Sequence, residues 1–352
     1  VPKKLTKTAS FTDIHWGARG NSEQHNIDCM NYIDWFCYQV KQDKTIDSIV
    51  FMGDWFENRS ALNISTMNYS YLGAKKINDL GLPVFFIVGN HDLYQRNSRD
   101  VFSTIHFHEF SNFTIITEPT VIENLGDGNL LCPFLFHNEY PTLTEFLNLK
   151  TWWGHFEFQG FKVTGTGMKM PTGPDAKDFT GPKHIFSGHF HARQQDKNII
   201  YIGNTFPTNF SDAGDNERGM MVYDHIKHKP VFHDWDECPK FIKTSLSAIL
   251  DGTITMHNGA RVKCVVDVPI TFEESMNIRQ QFIDAYNLRE FVLEESGEIA
   301  ETLTNEEEEL EDIPDVDLKS VDELVIYMLS NIESEHFDSQ ILIEQYNRLS
   351  ND

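Results

Sequence analysis

A chain of 352 residues with 40% hydrophobic and 12% aromatic content can bury a substantial core and form about two domains. No run of about 18 apolar residues occurs, and the lysines of VPKKLTKTAS precede no apolar segment, so neither a membrane span nor a secretory leader is expected. The net charge of −24 would weigh against nucleic acid, but Glu294 to Asp352 alone carries 19 acids against Lys319 and Arg348, a balance of −17 that leaves only −7 for everything before it.

Cys29, Cys37, Cys132, Cys238 and Cys264 are scattered and show no C-x-x-C spacing, which predicts free thiols in a reducing, cytoplasmic setting. In chain order, TASFTD reads as a strand. Asn21 with Gln24 three residues on can open a helix that places Ile27, Met30, Ile33, Cys37 and Val40 at helical spacing. SIVFMGD is the next strand, residues 64–80 the next helix, and PVFFIVGN the third strand. This β-α-β-α-β opening predicts a parallel or mixed sheet with helices on its faces. TVIEN, NLLCPF, FKVTG, HIFSGHF, IIYIGN and GMMVYD follow as shorter strands. A second unit is expected over 239–295: RVKCVVDVP as a strand, a helix opened by Thr271 and Glu274, then EFVLEE as a strand.

Residues 296–318 form the bulk of an acidic linker, predicted to be solvated. Residues 319–352 read as terminal helices. Ser320 and Glu323 make a capping pair, and Val321, Leu324, Val325, Met328, Leu329 and Ile332 form one apolar stripe. A detached amphipathic helix of this kind needs a partner surface to cover it.

The early strands end in unusual company. SFTDIHWG ends in Asp13 and His15, SIVFMGD in Asp54, VFFIVGNHD in Asn90, His91 and Asp92, TWWGHFEF in His155, and HIFSGHFHA in His189 and His191. Carboxyl ends of sheet strands are where α/β folds collect ligand groups. Carboxylate, imidazole and amide oxygen, with no thiolate, suit Mn, Fe or Zn. Asp13, His15, Asp54, Asn90, His155, His189 and His191 are too many for one ion. A shared aspartate could bridge two, and a pair of ions can clamp both attacking and leaving oxygens of a phosphoryl group. His106 and His108 repeat the H-x-H spacing without the strand-and-glycine context. With His225, His228 and His233 they read as surface or packing histidines.

In this order, D-x-H, G-D, G-N-H-D, G-H and G-H-x-H resemble the calcineurin-like metallophosphoesterases. GNHDLY, GHFEFQGF, GMK, SGHFH and YIGNTFPTNFSDAGDNERGMMVYD are similar to the SbcD and meiotic-recombination-eleven nuclease branch, in the form typified by gene 47 of T-even-like phages. The resemblance implies an α/β fold: a four-layer sandwich of two mixed sheets flanked by helices over 1–238, plus a small capping domain and C-terminal helices. It implies one metal held by Asp13, His15, Asp54 and His191 and a second by Asp54, Asn90, His155 and His189, both Mn2+ with Mg2+, Fe2+ or Zn2+ as alternatives. His91 would assist the leaving oxygen, and Asp92 would fix the tautomer of His91.

The resemblance further implies a DNA exonuclease on duplex ends and endonuclease on single strands, acting in recombination and repair in the cytoplasm of a phage-infected bacterium. It implies a homodimer through the helices after the first strands, and an SbcC-type coiled-coil ATPase partner of the gene-46 type on the terminal helices. Arg19, Arg96, Lys169 and Arg218 are candidate phosphate contacts. Glu57 departs from the His or Asp that many relatives carry three residues after the bridging aspartate, and reads either as a change in phosphate handling or as a helix-start residue. Two other readings stay open: a phosphoesterase for nucleotides, phosphoproteins or lipid pyrophosphates, and an inactive assembly adaptor on an inherited fold.

Overall fold

The structure is a computed structural model that describes residues 3–163 and 168–295. The β-α-β-α-β opening is present. Strands β1 (Lys7–Phe11), β2 (Ser48–Met52) and β3 (Val84–Ile87) lie parallel, joined by helices Glu23–Gln42 and Ile64–Asn78. The first helix is capped by Ser22, which accepts from the His25 N–H, and not by Asn21. Asn21 instead sits in left-handed backbone at φ 61°.

After a hairpin of β4 (Leu93–Gln95) and β5 (Ser98–Phe102), β6 (Phe113–Ile116) extends this sheet on one edge. A second sheet holds β7 (Thr120–Ile122), β8 (Asn129–Cys132), β9 (Thr151–Gly154), β10 (His184–Ser187), β11 (Gln194–Asp196) and β12 (Ile199–Tyr201). Strands β13 (Gly219–Asp224) and β14 (Lys229–Asp234) return to the other edge of the first. The orders are β14-β13-β1-β2-β3-β6 and β11-β12-β10-β9-β8-β7, and both sheets mix parallel with antiparallel pairs.

The continuous apolar runs in the central strands follow from burial on both faces. In β2 and β3, Ile49, Phe51, Val84 and Phe86 face the helix layer with Ile33, Phe36 and Trp55. Val50, Met52, Phe85 and Ile87, with Tyr223 of β13, face the second sheet, against Leu131, Trp153 and Phe186. Each such side chain contributes about 1.5–3 kcal/mol when fully buried. The outer face of the second sheet is flanked by short elements, not long α-helices. It is covered by the short 3-10 turns Tyr140–Phe146 and Ala176–Phe179 and by Phe156, Phe158 and Phe161 from loops. FKVTG is not a strand among the described residues; Lys162 makes only an isolated bridge to Lys169.

A third sheet of β15 (Phe241–Ser245), β16 (Arg261–Val266) and β17 (Glu290–Glu295) carries helices Leu246–Leu250 and Phe272–Tyr286. The Thr271–Glu274 capping box is made in both directions. This sheet has its own core, including Leu246, Val262, Cys264, Leu288 and Phe291. Arg289 pairs with Asp28 at 2.7 Å and Glu290 with Arg19 at 3.1 Å, tying it to the first sheet's helix layer. All five cysteines are free and buried. The acidic segment from 296 and the stripe Val321, Leu324, Val325, Met328, Leu329 and Ile332 lie outside the described residues.

Candidate metal centre

Strands β1, β2 and β3 in one sheet and β9 and β10 in the other end on the same side, and the loops after them meet. Parallel pairing continues past the strand ends: Asp13 N–H donates to Gly53 O at 2.9 Å, His15 to Asp54 O at 3.2 Å, Trp16 to Trp55 O at 2.8 Å and Glu57 to Trp16 O at 3.0 Å. Buried Trp16, Trp55 and Phe56 anchor these two loops. His25 on the first helix adds a bond from Nε2 to the His15 carbonyl at 2.8 Å.

Four site residues occupy left-handed backbone, Asp13 at φ 52°, His15 at 51°, Asp54 at 59° and His189 at 84°. Such conformations cost non-glycine residues free energy and cluster at functional sites. The glycines of G-N-H-D and G-H-x-H have a steric reason. A Cβ on Gly89 would lie 2.2 Å from Asp54 Oδ1, and one on Gly188 would lie 2.1 Å from Thr12 Oγ1 and 2.7 Å from Asp13 Oδ2.

The structure brings the seven candidates together as two adjoining groups. Asp13, His15 and His191 present ligand-type atoms within 4.8 Å of one another, and so do Asp54, His155 and His189. His15 Nε2 is 3.1 Å from His191 Nε2 and 3.9 Å from both Asp13 Oδ1 and Asp54 Oδ2. Asn90 Oδ1 lies 2.8 Å from His155 Nε2 and 3.0 Å from His189 Nδ1. Asp54 Oδ2 is 3.2 Å from His155 Nε2, so Asp54 touches both groups. The His189 N–H donates to both Asp13 oxygens at 3.1 Å, which links the groups through backbone as well.

The chemistry of this set fits a divalent cation. His155 Nδ1 donates to the Met52 carbonyl at 2.7 Å, so the neutral ring turns its Nε2 lone pair toward the oxygens of Asn90 and Asp54. Lone pairs that face each other in a buried site repel unless a proton or a metal lies between them. Without metal the carboxylates enforce protons. Burial lowers the His155 pKa, but Asp54 and Asp13 outweigh it and lift it to about 9. Burial likewise opposes His15, which Glu57, Asp54 and Asp13 lift to about 10. Burial alone would raise Asp54, yet His155, His91 and His15 hold it well below the usual carboxylate range. His189 is pushed down by burial and by the His155 charge, and His191 by burial and His15.

The proposed division of labour in G-N-H-D needs one correction. His91 Nδ1 donates to the main-chain carbonyl of Glu57 at 2.7 Å, and the His91 N–H donates to Asp54 Oδ1 at 2.9 Å. Asp92 therefore does not set the tautomer of His91. Its buried carboxylate accepts from four backbone N–H groups: Asp54 at 3.1 Å and Gly89 at 2.9 Å on Oδ2, Trp55 at 3.0 Å and Phe56 at 3.3 Å on Oδ1. Asp92 is a clamp between the loops after β2 and β3. Burial and the neighbouring Asp54 charge push its pKa up to about 7, against the pull of those N–H groups. Since all four partners are donors, a proton on Asp92 would find no acceptor among them.

Glu57 is also not a helix-start residue, because the next helix begins at Ile64. Its carboxylate lies 2.6 Å from His15 Nδ1. Burial opposes this charge, but His15, His91 and His191 hold its pKa at about 2. Thr12 was not singled out by its sequence context, yet its hydroxyl donates to Asp13 Oδ2 at 2.6 Å.

The four basic candidates separate. Arg218 is 1% exposed, pairs with Asp215 at 3.0 Å and Asp212 at 3.4 Å, and donates to the His191 carbonyl. It is a buried brace for the H-x-H turn and cannot reach a phosphate. Arg19 pairs with Glu290 and lies over the Phe241 ring at 5.7 Å. Arg96 in the β4–β5 turn and Lys169 are exposed. His106 and His108 sit on the 3-10 turn Ile105–Glu109, and His225 is a packing residue 2.7 Å from Thr8 Oγ1.

A family profile described as calcineurin-like phosphoesterase matches residues 6–193, the span that carries all seven converging side chains. The chain belongs to this family. Calcineurin-like phosphoesterases are hydrolases that use divalent metals. Exonuclease subunit 1 of Enterobacteria phage T4 is 28% identical over 184 residues, which cover 51% of this chain and 53% of that protein. The match thus spans about half the length of that relative. Similar solved structures include a dimetal phosphatase from Danio rerio, at 9% identity and a TM-score of 0.38, covering 63% of this chain and 93% of that one. Another is the nuclease MPE of Pseudomonas putida, at 13% identity and a TM-score of 0.31, covering 64% and 87%. No helix among the described residues is long and apolar enough to cross a membrane.

Proposed function

We propose that this calcineurin-like phosphoesterase is a two-metal DNA nuclease subunit that hydrolyses phosphodiester bonds. The observation that carries the reading is the pair of adjoining ligand groups that share Asp54. One ion would be held by Asp13, His15, Asp54 and His191, the other by Asp54, Asn90, His155 and His189. Mn2+ is the proposed metal. Such ions, when bound, neutralise phosphoryl charge and acidify water.

The chain's own residues supply the rest. Met52 O fixes the His155 ring, Thr12 and the His189 N–H hold the Asp13 carboxylate, and Asp92 locks the loops that carry Asp54 and Asn90. With Nδ1–H committed to the Glu57 carbonyl, Nε2 is the His91 nitrogen left for the departing oxygen. It would be the imidazolium form of the ring, protonated on both nitrogens, that gives the Nε2 proton and returns to the neutral Nδ1–H ring.

DNA as substrate and an SbcC-type ATPase as partner are proposed from the motif resemblance and from the relative that is named an exonuclease subunit. The proposed activities are exonuclease on duplex ends and endonuclease on single strands, in recombination and repair, in the cytoplasm. The proposed domains are a nuclease domain over 1–238, a capping domain over 239–295, an acidic linker over 296–318 and a partner-binding segment over 319–352. Arg96 and Lys169 are the proposed phosphate contacts. A homodimer is supported by the exposed apolar residues Ile64, Met67, Tyr71 and Leu72 on the second helix. The test is Mn2+-dependent cleavage of labelled duplex and single-stranded DNA alongside a small phosphodiester. Asp54→Asn should abolish all of it. Turnover of the small ester alone would replace DNA with another phosphoester, and no turnover of any would leave an adaptor.

A further inference from the structure

The paired loops after β1 and β2 place Glu57 where it meets two histidines with two different groups. Its carboxylate Oε2 lies 2.6 Å from His15 Nδ1, and its main-chain carbonyl accepts from His91 Nδ1 at 2.7 Å. The carboxylate contact is an ion pair off the N–H axis, since no aligned hydrogen bond reaches His15 Nδ1. The pairing is built by backbone. The Glu57 N–H bonds Trp16 O, and Trp16 pairs with Phe56 in a parallel bridge, so the residues that carry the two side chains cannot slide past each other. The His15 side chain is 4% exposed and that of Glu57 22%, so the carboxylate sits at the rim with the imidazole beneath it.

We propose that Glu57 is a positioning residue for both imidazoles, an inference that rests on the metal-centre reading above. Its carboxylate turns His15 so that Nε2 faces His191, Asp13 and Asp54, at 3.1, 3.9 and 3.9 Å. Its carbonyl takes His91 Nδ1, which leaves Nε2 as the ring nitrogen for other contacts. A carboxylate behind a ligating histidine fixes the ring and makes it a better donor. His15, Glu57 and His91 also have ligand-type atoms within 4.8 Å of one another. A third ion there would compete with the first group for His15: bound through Nδ1 beside Glu57 while Nε2 serves that group, it would require an imidazolate, so positioning is the reading the geometry favours.

The test is titration of Mn2+ into the metal-stripped full chain, with long-range imidazole 1H–15N spectra of the metal-free protein. The wild type should bind two equivalents. Glu57→Ala should weaken one of them by about 10–100-fold and leave the other unchanged. Glu57→Gln, whose amide oxygen can still face Nδ1–H, should fall between. The His15 signals should lose their Nδ1–H pattern in Glu57→Ala, and those of His91 should keep it because the His91 partner is main chain. If Glu57→Ala does not fold, Glu57→Gln carries the same test. Two equivalents bound by both variants with wild-type affinity and unchanged His15 signals would overturn the positioning role and leave the metal centre standing. Three equivalents in the wild type falling to two in Glu57→Ala would overturn it in favour of a ligand role. Fewer than two in the wild type would overturn the metal-centre reading with it.

Discussion

Replacing Asp92 with asparagine separates a clamp from a catalytic partner. Each carboxylate oxygen accepts two backbone N–H bonds, from Asp54 and Gly89 on one side and from Trp55 and Phe56 on the other. Whichever way the amide of Asp92→Asn turns, its NH2 faces two N–H donors in a site with no exposure. A buried donor left unsatisfied costs about 1–3 kcal/mol, so the pair costs about 2–6 kcal/mol, a large part of the roughly 5–15 kcal/mol that holds a domain folded. Urea denaturation of the metal-stripped protein, followed by tryptophan fluorescence, should show a midpoint lowered accordingly with the slope unchanged. Mn2+ affinity should fall as well, because two of the freed N–H groups belong to Asp54 and Gly89. An unchanged midpoint combined with a large loss of cleavage would refute the clamp and return Asp92 to His91.

Three further outcomes are expected. With His15 and His155 held at about 10 and about 9, both rings are protonated at pH 7.5 without metal, so Mn2+ uptake should expel protons and tighten as pH rises toward 9; calorimetry in buffers of different ionisation enthalpy counts them, and zero release would contradict the charged state. His225 is buried and depressed from 6.5 to about 4 by desolvation, so its contribution is complete above pH 6.5 and is lost as pH falls toward 4. That loss amounts to at most about 3 kcal/mol, and His225→Gln should flatten the midpoint-against-pH curve in that window. Met67 is 49% exposed among Ile64, Tyr71 and Leu72, so Met67→Glu should convert the proposed dimer to monomer in sedimentation, whereas a wild type that stays monomeric at every concentration sinks the dimer.

Much of the site was readable along the chain because its signals are local. An apolar strand with both faces covered must end abruptly, and a glycine is needed wherever a neighbouring strand end comes within contact of its backbone, as Gly89 does with Asp54 and Gly188 with Thr12. Ligand-type residues after such ends are therefore visible in Asp13, His15, Asp54, Asn90, His155, His189 and His191. The strand order of the opening was legible for the same reason: two helical spacings between three apolar runs leave a parallel sheet as the simplest packing. The layer over the second sheet was not, because its cover is loop aromatics and 3-10 turns that have no period to detect.

The order of strand tips and the residue types they carry are properties of the sequence by itself. Which partner each side chain takes was decided only by the tertiary structure. Asp92 follows His91 directly in the chain, yet it bonds to backbone 36 to 38 residues away, while His91 bonds to Glu57. Arg218 looks like a surface cation until the His191 turn and two aspartates enclose it. A hydrogen bond is chosen by distance and direction through space, and these are fixed only when loops from different strands have packed against one another.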